Sequence, residues 1–257
     1  MTPAARERMQ VRVPVLLVSA AAWTLLLLEY RIMAVPILCP AGMDTISASA
    51  SLEMLMGALR SVSLVVDWGL MILAMMAPLV IAPLRHVYYR SLARRRTVTI
   101  GLFAAGYAAI WMIAGIMLLP VLLVSKGLTS GSPAFLTMVV VPALVWQFSP
   151  AKQICLNRCH SHPPLAVFGI SANLDAFWFG LSHGAWCVGS CWPAMLVPAA
   201  FSRGHLVTMA ALTLWLAAER LEMPVPPSWR WRAPTKALRI LYVQTRIIFQ
   251  RELRSAL

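Results

Sequence analysis

The stretch Val98–Val124, VTIGLFAAGYAAIWMIAGIMLLPVLLV, contains no charged residue from end to end. A run of about 18 apolar residues already suffices to cross a bilayer core of about 30 Å. Backbone N–H and C=O groups find no water there, so such a run must close its hydrogen bonds internally as a helix. Arg94, Arg95 and Arg96 stand before it and Lys126 after it, so charge marks both ends. The sequence predicts a transmembrane helix.

Similar runs lie on either side. Val13–Ala34 is interrupted only by Glu29 and Arg31 near its far end, and no small-x-small cleavage site follows, so it reads as a first transmembrane helix rather than a signal peptide. Further helices are expected at about Asp67–Leu84, Pro133–Phe148, Asp175–Pro198 (after an interfacial stretch from 165) and His205–Leu221. Residues 1–222 therefore read as an all-α polytopic transmembrane bundle of about six helices. Residues 223–257 read as a tail, Pro-rich at first, then basic and amphipathic. Segments 35–66, 85–96 and 149–164 read as loops. Trp68 is expected as an interfacial anchor and Pro78 as a kink. No internal repeat supports an inverted-repeat transporter.

Composition agrees. Apolar residues make up 60% and charged residues 12%, against about 45–50% and about 25% in a soluble domain. The net charge of +13 does not point to nucleic acid, because Lys and Arg sit at the edges of the apolar runs and in the tail. That pattern records orientation and contact with anionic lipid. With the N-terminus cytoplasmic, only Arg31, Arg60, Lys126 and Arg203 fall on the outer side. Both termini are then cytoplasmic, as expected for a multi-pass protein of a bacterial inner membrane.

The chemistry-bearing residues concentrate in a few places. His183, Cys187, Cys191 and Met195 recur every four residues, and so share one face of the fifth helix, with Asp175 two such steps earlier. Imidazole, thiolate and thioether together favour soft metals, copper(I) first and zinc second. Polar groups within a membrane helix are costly and mark function; the plainer reading is that thiols and Met pack well among helices and bind nothing. The second helix carries Asp67, Met71 and Met75 at the same spacing, with Met76 beside them, either a thioether wall or ordinary packing. The 149–164 loop holds Lys152, Cys155, Cys159, His160 and His162, two thiols and two imidazoles without the spacing of a zinc finger. Cys39, with Met43 and Asp44, stands in the 35–66 segment as a capture site for an arriving ion or as an unpaired thiol. In the tail, Leu238, Leu241, Tyr242, Ile248 and Phe249 fall roughly on one side of Ala237–Leu253, with Arg239, Arg246 and Arg251 elsewhere. That is an interfacial or partner-binding helix. No phosphate-binding loop, acyl-transfer triad or paired carboxylates appear, so enzymatic hydrolysis has no support.

Three blocks together resemble a bacterial family of unknown function, described as predicted metal-binding integral membrane proteins. They are Trp68-x-x-Met71-x-x-x-Met75-Met76-x-Pro78; Lys152-x-x-Cys155-Leu156-x-x-Cys159; and Gly180-x-x-x-Gly184-x-x-Cys187-x-Gly189-Ser190-Cys191-Trp192-x-x-Met195. The pair Glu219-Arg220 resembles the acidic-basic pair that closes that family's core. The resemblance covers about residues 60–222 and implies a multi-helix fold with a metal site. Where the family usually has adjacent cysteines before the Trp, this chain has Ser190 and then Cys191.

The expected function is a copper-binding membrane protein that delivers metal to, or assembles with, a membrane metalloenzyme such as a copper-dependent oxidase or monooxygenase. It is not an enzyme in its own right. A metal-free accessory subunit is the second class. A membrane thiol–disulfide oxidoreductase is the third; exchange needs sulfurs that approach each other, and a cytoplasmic Cys155/Cys159 pair with an intramembrane Cys187/Cys191 pair makes a relay awkward.

Overall fold

The structure, a computed structural model, describes residues 3–32, 62–129, 134–201 and 204–255. Cys39, Met43 and Asp44 lie outside the described residues, and with them most of the 35–66 segment. Every described element is helical: α1 (Pro3–Ile32), α2 (Val62–Met76), a 3-10 turn (Ala77–Val80), α3 (Ile81–Arg90), a second 3-10 turn (Ala93–Arg95), α4 (Arg96–Thr129), α5 (Ala134–Phe148), α6 (Pro150–Arg158), α7 (Gly169–Ala200), α8 (His205–Arg220) and α9 (Thr235–Ser255). By length and composition, three spans qualify to cross a membrane: Met9–Glu29, Val65–Arg90 and Ala93–Leu118. The bent pair Phe135–Phe148 and Pro150–Arg158 makes a fourth if taken as one span. Five of the six expected helices overlap a single observed one, and the expected Asp67–Leu84 is divided among α2, the 3-10 turn and α3, but six membrane spans do not result. α8 has only 16 residues, and α7 is not among the qualifying spans.

α7 is the hub. It packs along α4 in the most extensive pairing among the described residues and also touches α5, α6 and α8, while α1 and α2 pair beside them. Glycines permit the close approach to α4. A Cβ at Gly106 would lie 2.5 Å from the Phe177 carbonyl oxygen, one at Gly180 would run into the Phe103 backbone, and one at Gly184 would lie 3.1 Å from Ile110 Cβ. Small residues at such a seam let two backbones meet without a clash, the usual basis of tight packing between apolar helices.

Proline explains two further joints. Pro78 has no N–H, so the Ala74 carbonyl four residues earlier loses its helical donor. Ser19 Oγ (2.8 Å) and Trp23 Nε1 (3.1 Å) of α1 donate to that oxygen instead, and the helix passes through the 3-10 turn into α3. Pro193 frees the Gly189 carbonyl in the same way, and Trp146 Nε1 of α5 takes it up at 3.0 Å. Orphaned carbonyls are thus converted into bonds between helices, as an apolar environment requires.

Four expectations change. The 85–96 segment is helical up to Arg90, because its long Arg, His and Tyr side chains build an amphipathic helix, with Arg96 over the Tyr88 ring at 4.3 Å. The 149–164 loop contains α6, started by Ser149, whose hydroxyl caps Lys152 N–H, and by Pro150 at the first turn. The interfacial stretch and fifth helix merge from Gly169 onward into one 32-residue helix. Trp68 is a core residue, not an anchor. It is buried, its indole donates to the Trp111 carbonyl at 2.9 Å, and its ring fills the space left by Gly115.

Candidate metal centre

The stripe on α7 faces inward. His183, Cys187, Cys191 and Met195 are all buried, as are Met71, Met75 and Met76 of α2. Cys187, Cys191, Met195, Met71, Met75, Met76 and also Met209 of α8 belong to one contiguous cluster, closed by Trp68, Phe103, Tyr107 and Trp111. The thiol pair and the thioethers, expected on separate helices, therefore share one core. His183 stands among Phe103, Tyr107 and Phe179, with ring centroids at 6.1, 6.1 and 5.9 Å.

Cys187 is the focus. Its sulfur receives the Arg220 guanidinium at 3.1 Å and lies 3.2 Å from the Tyr107 hydroxyl. Cys191 Sγ donates to the Cys187 carbonyl at 3.0 Å, and Ser190 Oγ donates to the same oxygen at 2.8 Å. Arg220 also reaches Ser190 Oγ at 3.4 Å. Ser190, which stands at the position of the resembling family's extra cysteine, is thus directed at the same place.

Beside this focus lies a charged group. Lys152 Nζ contacts Glu219 Oε2 at 2.8 Å, with side-chain exposures of 4% and 2%. Gln147 bridges the two side chains, and Trp215 Nε1 donates to Glu219 Oε1 at 3.0 Å. Ion pairs this deeply buried survive only with their remaining hydrogen bonds made. They join the Lys of the second block to the acidic-basic pair of α8.

The two Cys pairs are not apart. The chain bends by 67° between α5 and α6, and α6 folds back onto α7. Cys155 lies against Gly189, where a Cβ would come within 2.7 Å of its sulfur, and Cys159 is buried beside the Arg220 guanidinium. The separation expected from the sequence assumed a free loop, whereas the glycine on α7 lets α6 lie flat on it. The opposite side of α6 holds the strap 222–232. Gln153 donates to the Ser228 and Arg230 carbonyls at 2.8 and 2.9 Å, Asn157 donates to Val225 O at 2.7 Å, and Trp231 stacks on Trp215.

The remaining candidates have other employment. Both ring nitrogens of His160 face backbone carbonyls, of Leu156 (2.9 Å) and Arg220 (3.1 Å). Asp175 accepts from Ala166 N–H at 2.9 Å, tying the extended segment before α7 to that helix. Asp67 is half-buried, outside the apolar cluster. His162 packs edge-on to His86 with centroids 5.1 Å apart. Burial holds its imidazole below the ordinary range, opposed in part by its bond to the His160 carbonyl. Among the described residues, no three His, Cys, Asp or Glu side chains converge on one point. The sulfur arrangement is one of paired thiols and thioethers, the donor set of a soft monovalent metal rather than of a four-ligand zinc site.

A family model matches residues 65–241, taking in the thiol stripe, both Cys pairs, Arg220, the strap and the start of α9. The chain belongs to the PpoB2 family of copper chaperones. No curated protein and no solved structure matches it. Membership in PpoB2 gives the chain a copper-related accessory role. Sequence reasoning missed Tyr107 and Met209. A Tyr hydroxyl in an otherwise apolar run demands a partner, and that demand was the available signal for Tyr107.

Proposed function

We propose that this protein carries copper(I) on the Cys187/Cys191 pair, within a six-span bundle of a bacterial inner membrane, and delivers it to, or assembles with, a membrane metalloenzyme. The observation that carries this reading is the placement of two buried thiols in one cluster with Met71, Met75, Met76 and Met195, in a chain of a copper-chaperone family. Thiolate and thioether sulfur select copper(I) over harder ions. A ligand pair with nearby thioethers lets the ion pass by exchanging one sulfur at a time. His183, between its three aromatic rings, stands four residues from Cys187 as the next donor along α7. Both termini are cytoplasmic in this reading, and copper-dependent oxidases and monooxygenases are the class of enzyme served. α9 leaves Leu238, Leu241, Tyr242, Ile248 and Phe249 exposed beside its arginines, the character of a helix lying on an anionic membrane surface or on a subunit of that enzyme.

The test is metal content by plasma mass spectrometry on protein purified gently from copper-supplied cells. Near-stoichiometric copper is expected in the natural sequence and almost none in Cys187→Ser/Cys191→Ser. Equal copper in both removes the pair from the site. A second reading, thiol–disulfide exchange, is favoured by one observation, the Arg220 guanidinium shared by Cys159 and Cys187. A trapped Cys159–Cys187 disulfide after mild oxidation, with no copper bound before it, would favour that reading.

A further inference from the structure

We infer that Arg220 makes the Cys187/Cys191 pair selective for a monovalent cation, by supplying a fixed positive charge that leaves the loaded centre neutral. The inference rests on the copper-site reading above and adds a specificity-determining residue to it.

The argument is one of charge. A guanidinium does not lose its proton in proteins, and this one touches Cys187 Sγ and Ser190 Oγ. Lys152 and Glu219 cancel one another at 2.8 Å, so Arg220 is the uncompensated charge of the group. Cys159, buried beside the same guanidinium, enters the sum as a thiol because it ligates nothing in this reading. Tyr107 brings a neutral hydroxyl. Sulfurs that ligate a metal do so as thiolates. Two thiolates and the one guanidinium together leave a single net negative charge. A monovalent ion cancels it, whereas a divalent ion leaves a positive excess in a centre lined by Trp68, Phe103, Trp111 and methionines. An uncompensated buried charge is expensive, so the divalent complex is penalised even where thiolates would accept it.

The experiment measures copper(I) affinity, by competition with a chromophoric copper(I) chelator under reducing conditions, and zinc(II) affinity, by competition with a zinc chelator, on the full chain in detergent. Arg220→Gln is expected to lower the ratio of copper(I) to zinc(II) affinity by at least about tenfold, through weaker copper binding and stronger zinc binding. Arg220→Lys is expected to keep most of the ratio. Ser190→Asp places a carboxylate against Arg220 and cancels its charge while the guanidinium stays. It moves the ratio in the same direction and carries the test if Arg220→Gln does not fold. A ratio unchanged in both Arg220→Gln and Ser190→Asp overturns the role of Arg220 and leaves the copper site standing. Natural protein that takes up no copper(I) overturns the site itself, and the inference with it.

Discussion

Lys152→Met is expected to destabilise the protein by about 3–5 kcal/mol, because it strands the Glu219 carboxylate inside the bundle. Both partners are buried, so the loss of one leaves a charge that solvent does not reach. The companion experiment separates charge from packing. Glu219→Gln keeps an acceptor for Trp215 Nε1 and a polar partner for Gln147. The double variant Lys152→Met/Glu219→Gln therefore removes both charges and leaves most of the hydrogen bonds. It is expected to recover the larger part of the loss, since a buried ion pair owes little of its value to attraction net of desolvation. Denaturant unfolding of the detergent-solubilised chain reads both values. A single variant within about 1 kcal/mol of the natural protein would mean that water reaches the carboxylate.

Gly180→Leu is the second large effect. The new side chain has no room, because even a Cβ there would run into the Phe103 backbone across the seam. Flexible side chains can swing away from an intruder, but backbone cannot. Overpacking of this kind costs about 3 kcal/mol or more, and a drop of roughly 6–12 °C in Tm follows for a chain of this size. The same substitution at Gly69 or Gly101, where a Cβ would meet nothing within 4 Å, is expected to leave Tm nearly unchanged. A small shift at Gly180 would show that α4 and α7 can separate, and that the thiol stripe is not held against Tyr107 by close packing.

Much of this architecture was legible because it is written in local patterns. The uncharged run 98–124, the four-residue repeat from His183 to Met195 and the Pro78 kink all correspond to observed features. What escaped was long-range. Ser149 and Pro150 are a sound helix start, yet the loop reading passed over them because Lys, Cys, Arg and His in the following residues look like solvated chain. Nothing local says that Gly189 is there for Cys155 to lie against, or that Trp146 answers a carbonyl freed by Pro193. The partnership of Lys152 with Glu219 spans 67 residues. Membrane helices shift such information away from the pattern of apolar residues, since the lipid-facing and protein-facing sides are equally apolar and only small or polar residues betray the inner face.

The helices of this bundle are unequal. α4 and α7, with 34 and 32 residues, extend about 50 Å at 1.5 Å per residue. α5 and α8, with 15 and 16 residues, reach only about 23 Å, less than the hydrocarbon thickness of about 30 Å. Where helices this short cross a bilayer they make a hydrophobic mismatch, which is met by thinning of the bilayer around them. Gln147 at the end of α5, Lys152 on α6, and Glu219 and Arg220 at the end of α8 gather at one end of these short helices. A bilayer thinned around these helix ends would bring its headgroups toward the charges gathered there, although protein covers them.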